Sequence, residues 1–490
     1  MDIAMIILIL LLSLILVIFL ILVLASTIFS GIYYSINPST QLLQPMEETE
    51  MERNPLFRKF PILKNKIAWK ELGVYPTPIH QATINKESYE GIKFWIKRED
   101  LSSPIYGGNK VRTLQYQIAA CEVHHFKNPH AKFFTVGSSG SNQLVATLVH
   151  GKYANNLPIS IIHAGPDEPE LDNTLNVLST ISFKPSTLLH FDPSEGSRVK
   201  VILKTLFYSD NVDKIFNMGG NNITGVLGQI GAAIELGEQI ERGEVPDVDA
   251  IYLAVGSSCT VTGIILGICF CKALGMNAFN SPRLKVVGIL IHHSFAKLHQ
   301  VTGFYKSEFS RFVHLTPRYG ISAVAKYLRN LGCIDIEQEA LKKERFEAFS
   351  DAEVIGMYGA HSERSLITSS LDAKIELKGE LPQWLKGNDS IPIPWLCGHF
   401  VGKAFTVMMD RLKSNQQDGE NVLLWQTKSH IQPRGSYEGE LEELKKYSES
   451  SKKFREYVEK GKETSILRPG KVDLKADNGN DYRHLMKKLP

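Results

Sequence analysis

Three times along this chain an apolar run gives way to a small-residue turn and then to a helical pattern. That repeat constrains the fold more than any other feature. The first run, Ile92-Lys93-Phe94-Trp95-Ile96-Lys97, reads as a strand. Paired Gly107 and Gly108 follow, then Lys110 at the mouth of a helix carrying Val111, Leu114, Ile118 and Ala119. The second run, 132–137, ends in Ser138-Ser139-Gly140-Ser141-Asn142-Gln143 and enters an amphipathic helix. The third, 250–255, ends in Gly256-Ser257-Ser258-Cys259-Thr260 and enters an apolar one. Strand-like and helical stretches alternate from about residue 60 to 435, the pattern of a parallel α/β sheet. A chain of 490 residues is long enough for two lobes.

A strand that turns into a helix start leaves several backbone N–H groups unsatisfied, and these attract anions. The 256–260 turn, small and rich in hydroxyls, reads as a phosphate cradle; it lacks the lysine–serine ending of an ATPase loop. For the 138–143 turn, plain N-capping by Ser139 or Ser141 accounts for the residues as well as an anion pocket does. Lys110 is different. A cation at the positive end of a helix is disfavoured, which lowers its pKa and favours a neutral, nucleophilic amine. A solvated lysine in a glycine turn is the plainer reading of Lys110 taken alone. The glycines between 219 and 231 suggest tight packing and no chemistry.

Charged residues make up 22% of the chain and the formal net charge is +3, ordinary for a soluble enzyme and unlike a dedicated nucleic-acid binder. The six cysteines follow neither a disulfide framework nor zinc spacing, so a reducing compartment and no metal centre are expected. The N-terminus departs from this picture. From Ile3 to Phe29 there is no charge, a stretch long enough to span a bilayer and too long for a usual signal-peptide core. A single membrane-spanning helix within residues 1–30 is therefore expected, with a cleaved signal peptide as the second reading. Arg53, Arg58, Lys59, Lys64 and Lys66 on its C-terminal side lean toward a cytoplasmic body. Residues 31–59 read as a linker and 436–490 as a charged, helical or disordered tail.

Lys97-Arg98-Glu99-Asp100, followed by Gly107-Gly108-Asn109-Lys110-Val111-Arg112, resembles a motif of the tryptophan synthase β-like (fold type II) pyridoxal-phosphate enzymes. The similarity is to the branch holding D-cysteine desulfhydrase and 1-aminocyclopropane-1-carboxylate deaminase. It implies a two-lobed, parallel-sheet, three-layer α/β fold over residues 60–435, with a lineage-specific insertion at about 295–349. It further implies pyridoxal 5′-phosphate held as a Schiff base by Lys110. Gly256, Ser257, Ser258, Cys259 and Thr260 then match the loop that takes the 5′-phosphate. Asn142 matches the residue at the phenolic oxygen, and Thr427 the partner of the pyridine nitrogen. Ser141 and Gln143, with Asn142, match the substrate-binding turn. Lys110, Ser141 and Tyr358 are the implied catalytic groups, although a lone tyrosine is commonly a core residue with a hydrogen-bonded tip.

This sequence also departs from the family. Cys397-Gly398-His399-Phe400-Val401-Gly402-Lys403 puts Phe400 at the family tyrosine and Val401 at the following threonine or glutamate. Lys428-Ser429 replaces a glycine pair, and Gln426 a histidine. A phenyl ring can act as neither acid nor base, so opening of a cyclopropane ring is not expected. The implied reaction is β-elimination on a small amino acid, giving a 2-oxo acid and ammonia, with hydrogen sulfide if the substrate is D-cysteine. A catalytically silent, membrane-tethered relative is the alternative, as are an amino-acid racemase, dehydratase or β-replacement enzyme. A homodimer is the family's usual state.

Overall fold

The structure is a computed structural model. It describes residues 47–154, 157–164, 171–191, 215–216, 218–291, 315–342, 346–349, 354, 361–387, 390–414, 421–433, 437–446 and 454–459, together with 5–6, 10–14, 17 and 42. Two sheets are formed by strands β1 (Ile79–Ile84), β2 (Lys93–Lys97), β3 (Phe133–Gly137), β4 (Ile159–Ala164), β5 (Leu188–Phe191), β6 (Ile215–Phe216), β7 (Ala250–Val255), β8 (Lys285–Leu290), β9 (Phe346–Phe349), β10 (Ile375–Lys378) and β11 (Val422–Trp425). The larger sheet has the order β10-β1-β2-β11-β7-β8-β9 and the smaller β5-β4-β3-β6. The smaller sheet is parallel throughout. In the larger one β1 runs antiparallel to both β2 and β10, so the sheet is mixed. The cause is local: residues 85–92 join β1 to β2, and so short a link cannot carry a crossover of a dozen or more residues.

The main helices are α1 (Lys110–Lys127), α2 (Asn142–Tyr153), α3 (Leu171–Ser182), α4 (Ile223–Glu241), α5 (Cys259–Ala273), α6 (Leu315–Asn330), α7 (Val401–Lys413) and α8 (Tyr437–Leu444). Strand alternation sorts the core of the large sheet. Ile251, Leu253 and Val255 of β7 face a cluster shared with α4, α5 and α6. Ala250 and Tyr252 face a second cluster with Val401, Phe405 and Met408 of α7. Helices on both faces make three layers, and they explain why β7 is an apolar run rather than an alternating one. The third cluster joins α1, α2 and α3 to the small sheet.

Register decides where the functional elements meet. Trp425 of β11 lies opposite Lys97 of β2, and Leu424 lies opposite both Ile96 and Tyr252. The carboxyl ends of β2, β11 and β7 therefore come out together, in the position where open α/β sheets hold ligands.

Several expected boundaries differ from the structure. Residues 48–53 and 55–59, read as linker, are helices; Leu56 and Phe57 are fully buried in the large core, and Asn54 caps the second helix through Leu56 N and Phe57 N. The expected insertion is no appendage where it is described. It supplies α6, whose Ile321, Val324 and Leu328 enter the large core, and β9, the edge strand beside β8. In the expected tail, Leu444, Phe454, Tyr457 and Val458 are buried against the small lobe, a helical-spaced apolar face that the charged composition hides. The expected span 3–29 falls largely outside the described residues, and among those described no helix is long and apolar enough to cross a membrane.

Candidate active site

The motif that leads into Lys110 is an electrostatic scaffold. Arg112 makes two forked contacts, to Glu99 (Nε–Oε2 2.8 Å, Nη2–Oε1 2.8 Å) and to Glu235 of α4 (Nη1–Oε2 2.9 Å, Nη2–Oε1 2.7 Å). Its guanidinium also lies 4.0 Å over the Tyr75 ring. Lys97 donates to Glu235 (2.6 Å) and to Gln239, and Arg98 forks onto Asp100 (2.9 and 2.7 Å). All these charges are buried. Burial alone raises the Glu235 pKa, but Arg112 and Lys97 outweigh it and hold the carboxyl below the usual carboxylate range. The opposite balance holds for Lys97, where desolvation outweighs the attraction of Glu235 and Glu99 and lowers the amine. Each charge is met by a forked or multiple partner, the condition under which buried ions are tolerated.

This scaffold fixes the glycine turn. Gly107 N donates to Ser429 Oγ (3.0 Å) and Gly108 N to Glu99 O (2.8 Å). Gly108 has φ +97°, and a Cβ there would stand 2.6 Å from Thr427 O, so only glycine lets the turn lie against β11's exit. Lys110 is then the first residue of α1, and its Nζ donates to Gly219 O at 2.9 Å. Its pKa is lowered as expected, but the leading cause is desolvation, with Cys259 partly opposing it.

Around Lys110 lies a cavity with about 870 Å³ of empty space, part of it open to solvent. It is lined by Asn109 and Lys110 from the first turn, Ser138, Ser141, Asn142 and Gln143 from the second, and 254–261 from the third. Thr427, Gly219, Ile291 and Phe400 complete it. Every implied site residue except Tyr358 is therefore brought to one cavity; Tyr358 lies outside the described residues. Val401 is buried at the start of α7, behind Phe400.

Three details refine the expected set. Ser258 has φ +68°, the left-handed conformation natural to glycine. The turn carries strain at this serine, and α5 starts at the next residue, Cys259, with Cys259, Thr260 and Val261 of its first turn lining the cavity. Gln143 is partly engaged within its own helix: its Nε2 donates one hydrogen to Thr147 Oγ1 (3.0 Å), and its buried Oε1 has no hydrogen-bond partner among the described residues. Gly219, given no chemistry from sequence, carries the carbonyl that holds Lys110. The sequence signal for it is the glycine-rich segment 219–225 that opens α4.

Residues 70–302 match the model of a family described as pyridoxal-phosphate dependent enzyme. A mitochondrial bifunctional D-cysteine desulfhydrase/1-aminocyclopropane-1-carboxylate deaminase of Arabidopsis thaliana is 29% identical over 203 residues, 39% of this chain and 49% of that protein. A D-cysteine desulfhydrase of Salmonella paratyphi A is 20% identical over 225 residues, 45% of this chain and 64% of that protein. The chain thus aligns with less than two thirds of either relative's length. The crystal structure of a 1-aminocyclopropane-1-carboxylate deaminase homologue shares the fold, with a TM-score of 0.50 and 20% identity over 76% of this chain and 94% of that one.

The cavity fits pyridoxal 5′-phosphate, the cofactor that this match indicates. It offers a desolvated lysine amine, a helix start lined by Ser257, Ser258 and Thr260 for a phosphate, and Asn142 and Thr427 as further polar groups in the lining. A Cβ at Gly219 would collide with Ser257 Oγ, so this part of the cavity lining requires glycine.

Proposed function

We propose, from the premise that residues 70–302 carry a pyridoxal-phosphate dependent enzyme of fold type II, that this protein catalyses β-elimination on a small amino acid. The supporting observation is the meeting of Lys110's desolvated amine and the α5 helix start in one cavity. When bound, the cofactor supplies the electron sink that stabilises charge at the substrate's Cα. Lys110 would hold the cofactor through Nζ, and the same atom would take the proton from the substrate's Cα. Its lowered pKa keeps that amine available as a base. Ser141 Oγ and the backbone N–H groups opening α2 take the substrate carboxylate. The hydroxyls of Ser257 and Thr260 and the amides of 257–260 would anchor the phosphate, and Thr427 would give the ring nitrogen a neutral partner. The net reaction takes up one water and releases a 2-oxo acid, ammonia and the β-substituent, which is hydrogen sulfide for D-cysteine.

Phe400 narrows the reading. It lines the cavity with Val255, Val261 and Ile291 and offers no proton to a substrate. Ring-opening deamination, which the name of one relative includes, is therefore not part of the proposal. The same residue favours the second reading, a binding protein that has lost catalysis. Product analysis of the full chain with D-cysteine, D-serine and L-serine decides between them. Release of 2-oxo acid and ammonia supports the lyase, and cofactor-loaded protein that turns over none of the three leaves the binding reading. Tethering through the uncharged stretch Ile3–Phe29, with the body in the cytoplasm, belongs to the proposal too; extraction of the protein from membranes by carbonate alone would remove it. A homodimer is also proposed, and light scattering in detergent checks it.

A further inference from the structure

Lys428, which replaces a family glycine, sits immediately after Thr427 and is buried. Its Nζ donates to three side-chain carbonyls: Asn142 Oδ1 (3.0 Å), Asn176 Oδ1 (2.9 Å) and Gln432 Oε1 (2.8 Å). It also lies 4.5 Å over the Trp395 ring. Three acceptors at these distances need three hydrogens, which an ammonium has and a neutral amine lacks. The Asn142 oxygen is held from two more sides, by Asn176 Nδ2 (2.9 Å) and Tyr106 Oη (3.3 Å). With its carbonyl so engaged, the end of Asn142 left for the cavity is its NH2 group. Asn176 in turn donates to Gly140 O (2.8 Å), so the same cluster ties down the 138–143 turn. These bonds join the exit of β11 in the large sheet to α3 of the small lobe.

We propose that Lys428 is a positioning residue for the cofactor site: it fixes Asn142 as a hydrogen-bond donor facing the cavity. The inference rests on the reading that pyridoxal phosphate occupies that cavity with Asn142 against it. The charge-assisted bond also draws electron density from the Asn142 amide and sharpens its NH2 as a donor. The replacement of the glycine pair is thus a compensated change. Ser429 secures Gly107, and Lys428 secures Asn142.

A double-mutant cycle on the full chain tests this, reading the dissociation constant for pyridoxal 5′-phosphate and the position of its visible band. Lys428→Met and Asn142→Ala are each expected to weaken binding by roughly tenfold. The double variant is expected to bind no more weakly than Asn142→Ala, and the band is expected to shift in Lys428→Met as it does in Asn142→Ala. Lys428→Gln, which keeps a donor without the charge, serves if the methionine variant does not fold. Losses that multiply in the double variant, or unchanged binding and band in the Lys428 variant, overturn the positioning role. Failure of the unaltered protein to bind the cofactor overturns the cofactor reading itself, and that result is seen before any variant is made.

Discussion

The Thr147 hydroxyl fixes the orientation of the Gln143 side-chain amide. It lies 2.7 Å from the Gln143 main-chain oxygen, and two oxygens so close need a hydrogen between them. The hydroxyl proton is spent there, so Thr147 Oγ1 can only accept from the Gln143 amide, at 3.0 Å. Gln143 Oε1 is left as a buried acceptor on a cavity-lining residue. Under the proposed reaction, a substrate with a hydrogen-bond donor on its β-carbon would meet it, and leaving such an acceptor unmet costs about 1–3 kcal/mol. Gln143→Leu is therefore expected to lower kcat/KM for serine about tenfold more than for 3-chloroalanine. Equal losses for the two substrates would contradict this.

The Arg112–Glu235 fork makes stability depend on acid. Glu235's folded pKa lies below its ordinary value of 4.5. Its contribution is thus fully present above that value and is lost as pH falls through the folded pKa. Glu235→Gln leaves two buried cations short of their partner and is expected to destabilise by about 3–5 kcal/mol. The variant should also lose part of the acid limb of the stability–pH curve. Thermal melts between pH 3 and 7 measure both, and an unchanged acid limb would remove Glu235 from the account.

Ser258→Gly relieves a left-handed serine and is expected to raise stability by about 1 kcal/mol, offset in part by glycine's greater freedom when unfolded. Cofactor affinity should hold or improve, because the phosphate turn keeps its shape. A drop in affinity without a loss of stability would instead assign the Ser258 hydroxyl to the phosphate.

Local grammar made the site largely legible. Each of the three turns follows a strand and opens a helix, and those are adjacent residues whose relation needs no tertiary information. What tertiary contact alone creates stayed hidden. Gly219's carbonyl meets Lys110 across 109 positions of sequence, and Lys428 meets Asn142 across 286. Arg98, Glu99 and Asp100 were legible as a motif but not as buried ion pairs, because charge in a sequence reads as surface. The same bias made Leu56 and Phe57 part of a linker and Phe454, Tyr457 and Val458 part of a tail, where a few apolar residues at helical spacing suffice to dock a charged segment. β1's reversal followed from a short connection rather than from any strand signal.

The central claim is that Lys110, half-buried at the start of α1 and held by Gly219, is where pyridoxal phosphate is bound. The visible absorption spectrum of the protein beside its Lys110→Ala variant, both supplied with the cofactor, tests it most directly. The account predicts a visible band in the unaltered protein that borohydride removes and that the variant lacks. The same band in both proteins, or in neither, would contradict it.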